Sequence, residues 1–153
     1  MFDVDAFTNT VYDQATSTSM INVPEGVYNA SIQKFTPREI QTRTGDKAVV
    51  MDLYWDVDDP AGAVKAATGR DKNQVRQSLF LDVLPNGSLD MSEGRNTQLG
   101  RLREALGQNQ AGLPWGFQRL LGVPAVILVT HKMDGDKIYA NVTKVGKLGE
   151  NLS

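Results

Sequence analysis

Residues 47–83 read KAVVMDLYWDVDDPAGAVKAATGRDKNQVRQSLFLDV, and this stretch decides the fold. Two strand-like segments, 47–57 and 74–83, flank a polar insert at 58–73. Successive side chains of a β-strand point to opposite sides of its sheet, so every second residue shares a face. Each segment therefore has one mainly apolar face that can form a core and one mixed face that can meet solvent.

The mixed face of each segment carries one aromatic residue, Tyr54 in the first and Phe80 in the second. Arg76 shares the face of Phe80, while Trp55 lies on the apolar face and is predicted to be in the core. Exposed aromatic rings beside an arginine form a platform on which the bases of a single strand can stack. We therefore predict that Tyr54, Phe80 and Arg76 are the centre of a nucleic-acid-binding face. The alternative is that an N-terminal arm or the insert covers both rings.

The rest of the sequence divides into an arm, the remainder of one domain and a tail. Residues 1–23 are polar without a clear period and are predicted to be the arm, residues 24–146 the domain, and residues 147–153 a short polar tail. Strands are predicted at 27–35, 47–57, 74–83, 125–132 and 137–145, with a loop at 36–46 and one helical turn at 63–67.

A helix is predicted between the third and fourth strands. Ser92 is the candidate N-cap, and Gly107 suits the C-terminal cap. An apolar stripe between these two residues is formed by Leu99, Leu102 and Leu106. This stripe would close one end of a barrel.

Five strands with a helix between the third and the fourth have the order of the OB-fold. This fold is a partly open barrel that binds oligonucleotides through strands 2 and 3 and two of its loops. A short second helix, beginning at Pro114 and ending before Gly122, adds to the same connection. A parallel βαβ sheet would instead need helices between most strands. We therefore predict a mainly β protein, a five-stranded OB-fold barrel with a helix between strands 3 and 4.

The composition is typical of a globular domain rather than a disordered chain. Of 153 residues, 41% are hydrophobic and 22% charged, and the net charge is -2. The sequence contains no cysteine, which excludes disulfides and zinc sites built on thiolates. No apolar run approaches the ~20 residues of a membrane helix, and the acidic N-terminus is unlike a signal peptide. We expect a cytoplasmic protein with no membrane partner.

Basic residues flank the predicted face in three segments, where they can follow a phosphate backbone. The candidates are Arg38, Arg43 and Lys47 in the first loop, Lys65, Arg70 and Lys72 in the insert, and Lys132 with His131 and Lys137 around the last hairpin. Any one of them can also be simply a solvated charge. The helix is predicted to expose a further basic face formed by Arg95, Arg101 and Arg103.

Three short segments carry a resemblance to a known family. They are PEGVYNASI at 24–32, WGFQRLLG at 115–122 and IYANV at 138–142. Together with the helix, they resemble phage-encoded single-stranded-DNA-binding proteins of the OB-fold type in layout over residues 24–145. The resemblance implies coating of single-stranded DNA without sequence specificity, during phage DNA replication or recombination in the cytoplasm of the infected host cell. One departure is the tail GENLS, because such proteins often end in an acidic tail that recruits partners.

The sequence offers little for catalysis or metal binding. Asp52 and Asp56 share a strand face and could hold Mg²⁺ with a phosphate, but no third ligand or general base is indicated. We expect no enzyme activity, no catalytic residue, no metal and no cofactor. The expected partners are single-stranded DNA, replication or recombination proteins, and further copies of the chain. Two other functions stay open: a phage structural or assembly protein that uses the arm and binds no nucleic acid, and a Mg²⁺-dependent nuclease.

Overall fold

The computed structural model describes residues 2–45 and 47–153, with the backbone alone at Lys47. In chain order its elements are α1 (Val4–Asn9), β1 (Gly26–Gln41), β2 (Lys47–Val57), α2 (Ala63–Thr68), β3 (Gln74–Leu81), α3 (Thr97–Ala105), a 3-10 helix (Phe117–Leu120), β4 (Pro124–Asp134) and β5 (Lys137–Gly146). None of the helices in this described part of the chain is long and apolar enough to cross a membrane.

The five strands close into a barrel in the order β1-β2-β3-β5-β4. Neighbouring strands are antiparallel except β3 and β5, which run parallel and are joined at Arg76 and Asn141. The helix α3 lies in the connection between β3 and β4. The prediction of a mainly β, five-stranded, OB-like barrel with a helix between strands 3 and 4 is confirmed.

The barrel core is built from the apolar faces of β2 and β3 that a period of two predicts. Leu53, Trp55 and Leu79 are almost completely buried. The indole Nε1 of Trp55 donates a hydrogen bond of 2.8 Å to Gln77 Oε1, which satisfies the polar atom of this buried ring. The same core includes the predicted leucine stripe of α3, namely Leu99, Leu102 and Leu106.

The first strand is longer than the sequence predicts, because it includes most of the expected loop at 36–46. The predicted loop contains Pro37, which cannot donate a backbone hydrogen bond to a neighbouring strand. Residues 30–41 of β1 pair with β2, whereas only residues 26–31 pair with β4. Pro37 therefore lies where β1 has a single neighbour, and such an edge position tolerates proline.

A bulge at Gln33 changes which residues of β1 face outward. Ile32 pairs with Trp55, and both residues are fully buried. Two residues later in β1, Lys34 pairs with Tyr54, so β1 has one extra residue at this point. A regular strand would turn Lys34 to the side of Ile32. The bulge instead places Lys34 on the outer surface of the barrel.

The helix α3 begins later than the sequence predicts. Its first residue is Thr97, and its N-cap is Asn96 rather than Ser92. Asn96 has a left-handed conformation with φ 52°, which asparagine tolerates better than most residues. Its side chain accepts a hydrogen bond from the amide of Asp82 and donates to the carbonyls of Asp82 and Asp90. These bonds join the start of the helix to the end of β3. The sequence of the helix alone could not predict them, because the bonds are made to residues outside it.

Several other predicted boundaries lie close to the observed ones. β3 ends at Leu81 rather than at residue 83. The 3-10 helix lies where the short second helix is predicted, and α2 lies where the insert predicts a helical turn. Gly107 and Gly122 have φ of 72° and 77°, the left-handed conformation that glycine adopts at helix ends, so both predicted ends are confirmed.

Arg103 is buried, and its predicted place on an exposed helix face is therefore wrong. The guanidinium carbon lies 4.4 Å from the centre of the Trp115 ring, and Nη2 donates to the carbonyl of Gln108. This side of α3 packs against the segment that precedes the 3-10 helix, a contact that the pattern of α3 alone does not reveal. Arg95 and Arg101 are exposed, as predicted.

Among the described residues of the arm, those at its end hold it to the barrel. Residues 2–20 are exposed throughout, and α1 buries none of its side chains. The carbonyl of Ile21 accepts a hydrogen bond of 2.8 Å from Arg70 Nη2. Asn22 Nδ2 donates a hydrogen bond of the same length to the carbonyl of Ile138. The end of the arm is thus held between the insert and the β4–β5 hairpin.

Candidate nucleic-acid interface

The outer surface of β1, β2 and β3 carries the residues predicted as the centre of the binding face. Tyr54, Arg76 and Phe80 lie on this surface, because their sequence neighbours Trp55 and Val75 are buried inside the barrel. Phe80 is 61% exposed and Tyr54 is half-buried. The alternative that the arm or the insert covers both rings is therefore wrong for Phe80.

Tyr54 lies between two cations on neighbouring strands. Lys34 is its partner on β1, and Arg76 is its partner on β3. The Nζ atom of Lys34 lies 5.6 Å from the centre of the Tyr54 ring, within the range of a cation–π contact. Beyond Arg76 the same row continues through Asn141 of β5 to Thr130 of β4. These five residues, called the circumferential row below, cross all five strands of the barrel.

The next row of the surface contains a buried carboxylate. Asp52 is 5% exposed and accepts hydrogen bonds from Arg38 Nε at 2.8 Å and from Ser78 Oγ at 2.6 Å. Burial alone would raise the pKa of Asp52, but these two hydrogen bonds and the charges of Arg38 and Arg76 lower it below the ordinary value. Asp52 is therefore ionised at neutral pH and holds the guanidinium of Arg38 against the sheet.

Phe80 lies apart from the Tyr54 ring on the same surface. Its partner on β2 is Val50, four residues from Tyr54, which separates the two rings by ~13 Å along the strand. Arg38 is also opposite Val50, so Phe80 and Arg38 flank one buried residue. The predicted residues therefore form two aromatic positions rather than one cluster, with Tyr54 beside Arg76 and Phe80 nearer to Arg38.

The predicted loop cations form two groups at opposite ends of the barrel. β2 runs from the β1–β2 loop to the insert, so these two connections lie at opposite ends of it. Because β5 is parallel to β3, the β4–β5 hairpin lies at the insert end, together with Lys132. At the other end, Arg43 is exposed in the loop, whereas Arg38 lies inside β1. The side chain of Lys47 lies outside the described residues.

Two of the three insert cations already have partners within the chain. The Nζ atom of Lys65 lies 2.7 Å from Asp71 Oδ1, although both side chains are exposed and such pairs contribute little stability. Arg70 donates to the carbonyl of Ile21 and thereby fixes the arm. Lys72 is exposed. The insert therefore offers fewer cations for phosphate contacts than the sequence suggests.

Sequence reasoning missed two residues of the outer surface. The first is Lys34, whose position depends on the bulge and has no visible signal in the sequence. The second is Tyr139 on β5, which is 42% exposed and pairs with Lys132 of β4. Val142 is buried, so the alternation of side chains along β5 places Asn141 and Tyr139 on the outer face. Counting residues back from Val142 could therefore have predicted the position of Tyr139.

Asp59 in the insert and the single histidine have structural roles. Both carboxylate oxygens of Asp59 accept amide hydrogen bonds, from Val64 and Lys65 at the start of α2, and these bonds lower its pKa. The ring Nε2 of His131 lies 2.7 Å from the carbonyl of Val23, at the end of the arm. Among the residues that the structure describes, no group of three or more His, Cys, Asp or Glu side chains is arranged to hold a metal ion.

The sequence matches no protein-family model, and no curated protein matches it. Function is therefore inferred from the chemistry and geometry of the outer surface.

Proposed function

We propose that this protein binds single-stranded DNA without sequence specificity and catalyses no reaction. The observation that carries the proposal is the circumferential row, in which a half-buried tyrosine ring lies between two cations on adjacent strands of an OB-like barrel. Aromatic rings stack with any base, and neighbouring cations contact the phosphates on either side. Such a surface can bind a strand without recognising its base sequence.

The DNA would cross the outer surface of the barrel with the circumferential row at the centre of its path. One base stacks on Tyr54, while Lys34 and Arg76 contact the flanking phosphates. Tyr139, beside Lys132 at the hairpin end, provides a second stacking position. Phe80, with Arg38 held nearby by Asp52, provides a third. Each position pairs an aromatic ring with a cation, which is the composition expected of a sequence-tolerant groove.

The biological setting follows from the resemblance described above. We place this activity in phage DNA replication or recombination, in the cytoplasm of the infected host cell, with the proteins of those processes as further partners. The hydrogen bonds of Asp52 to Arg38 and Ser78 favour binding rather than a nuclease, because a metal would have to compete with a guanidinium for this buried carboxylate.

Fluorescence anisotropy of a labelled oligothymidine, titrated with the protein, tests the proposal. We expect tight binding to the oligothymidine and much weaker binding to a duplex of the same length, because bases inside a duplex cannot stack on the protein. No binding to either nucleic acid would overturn the proposal. A structural or assembly role would then be the better explanation, and the exposed arm favours such a role.

A further inference from the structure

The short helix α1 exposes apolar side chains on one side, as helices that bind in a groove of another surface do. Val4 and Phe7 lie three residues apart on one side of it, and Phe2 packs on Phe7 with ring centroids 5.1 Å apart. These three side chains are 60%, 59% and 68% exposed. An isolated helix of fewer than ~12–15 residues is marginal in water, and α1 has six. We therefore expect another surface to cover its apolar side.

The charge of the arm indicates what that surface should carry. Asp3 and Asp5 lie at the start of α1, and Asp13 follows it. No lysine or arginine occurs in the sequence before Lys34. A complementary surface for α1 is thus an apolar groove with a basic rim.

The barrel has a groove of this kind between α3 and β5. Among the described residues, β3 pairs with β5 only at Arg76 and Asn141, and beyond that point α3 lies beside the gap between them. The resulting groove has a volume of about 450 Å³. Its lining includes the buried residues Leu79, Leu102 and Val142, Leu152 of the tail, and two exposed cations, Arg101 and Lys144. Among the described residues that line it, none is acidic.

We propose that α1 of one copy docks into the α3–β5 groove of a second copy. Short amphipathic helices bind such grooves through apolar side chains spaced by three or four residues. The acidic residues of α1 meet a rim of opposite charge, and residues 2–20 are all exposed in the arm's own chain. Residues 10–20 can span about 36 Å when extended at ~3.3 Å each, far enough to reach a neighbour.

The helix and the groove are different surfaces, so the contact is head-to-tail and can continue from copy to copy. This association needs no nucleic acid. It therefore stands or falls independently of DNA binding by the circumferential row.

Sedimentation velocity of the full chain over a range of concentrations tests the association without DNA. We expect self-association that Phe7→Ala weakens by about tenfold or more, as for a buried aromatic anchor. Arg101→Glu should weaken it as well, because it places an acid beside the acidic helix. Met20→Ala is the matched control, since Met20 is an exposed apolar residue of the arm outside α1. A chain that is monomeric at every concentration would overturn the proposal.

Photo-cross-linking identifies the docking surface directly. The variant Phe7→p-benzoylphenylalanine is prepared in ¹⁵N-labelled and unlabelled forms, and the two are mixed before irradiation. We expect cross-links that join a labelled chain to an unlabelled one and that end in α3 or β5. Cross-links within one chain only, or cross-links that end on another surface, would contradict the proposal. The folding of these variants is not in question, because α1 buries no side chain in its own chain.

Discussion

At the scale of the residue, Tyr54 is the position on which the proposed binding of single-stranded DNA most depends. Tyr54→Ala should weaken binding to oligothymidine by about 5- to 150-fold, because a stacked base contributes ~1–3 kcal/mol. Tyr54→Phe keeps the ring and should bind within about twofold of the original protein. Anisotropy titrations of both variants measure these differences.

The matched control for Tyr54 is Tyr12→Ala, which removes an exposed tyrosine of the arm. It should leave the affinity for oligothymidine unchanged. Equal affinities for Tyr54→Ala and Tyr12→Ala would mean that the strand does not cross the circumferential row.

Asp52 is the residue whose chemistry makes stability depend on pH. Its pKa is lower in the folded protein than its ordinary value of 3.8, so its ionised form stabilises the fold above that pH. This stabilisation is lost as the pH falls through the folded-state pKa. Asp52→Asn should therefore lower the free energy of unfolding by about 1–3 kcal/mol near pH 7, because Arg38 and Ser78 lose a charged acceptor.

Urea unfolding at neutral and at acidic pH measures this effect. The difference between the original protein and Asp52→Asn should shrink as the pH falls below about 4. Asp58→Asn removes an exposed carboxylate of the insert and should have little effect at either pH. A difference between the Asp52 variant and the original that is independent of pH would show that packing, rather than charge, accounts for the change.

At the scale of the element, the bulge in β1 decides which side chains face outward. Deleting Gln33 would remove the bulge and restore regular alternation, but Lys34 would stay opposite Tyr54 and Phe35 would stay on the core face, because Gln33 is the extra residue of the bulge. Phe35 packs against the core, 6.0 Å from the Phe117 ring. The deletion should therefore leave the affinity for oligothymidine nearly unchanged in anisotropy titrations. Deleting Lys34 instead would place Gln33 opposite Tyr54, and loss of the cation beside the ring should weaken binding.

The same scale shows what sequence patterns can and cannot predict. The faces of β2 and β3 are predictable because both strands are regular, so Tyr54 and Trp55 are placed correctly on opposite sides. Lys34 is not predictable, because a bulge exists only in the pairing of two strands. The buried position of Arg103 is not predictable either, because it depends on Trp115, which packs on it from a distant segment.

At the scale of the whole molecule, the order of five strands and one helix predicts the barrel, but it does not predict where the loop cations gather. β2 separates Arg43 from Lys72 by its full length, and the parallel pairing of β3 with β5 on closure of the barrel brings Lys132 to the end of Lys72. With a net charge of -2, the protein as a whole does not attract DNA. Attraction must come from the cations of the outer surface.

The salt dependence of binding tests which cations of the protein the DNA strand contacts. Lys34, Arg38, Arg76 and Lys132 together would give about four phosphate contacts, and log K for a single strand falls by about 0.7 per contact with log salt. We expect a slope of about -3, reduced in size by about 0.7 in Arg76→Ala. Lys147→Ala, an exposed cation after the end of β5, should keep the full slope. If Lys147→Ala reduces the slope and Arg76→Ala does not, the strand follows the α3 side of the barrel instead of the circumferential row.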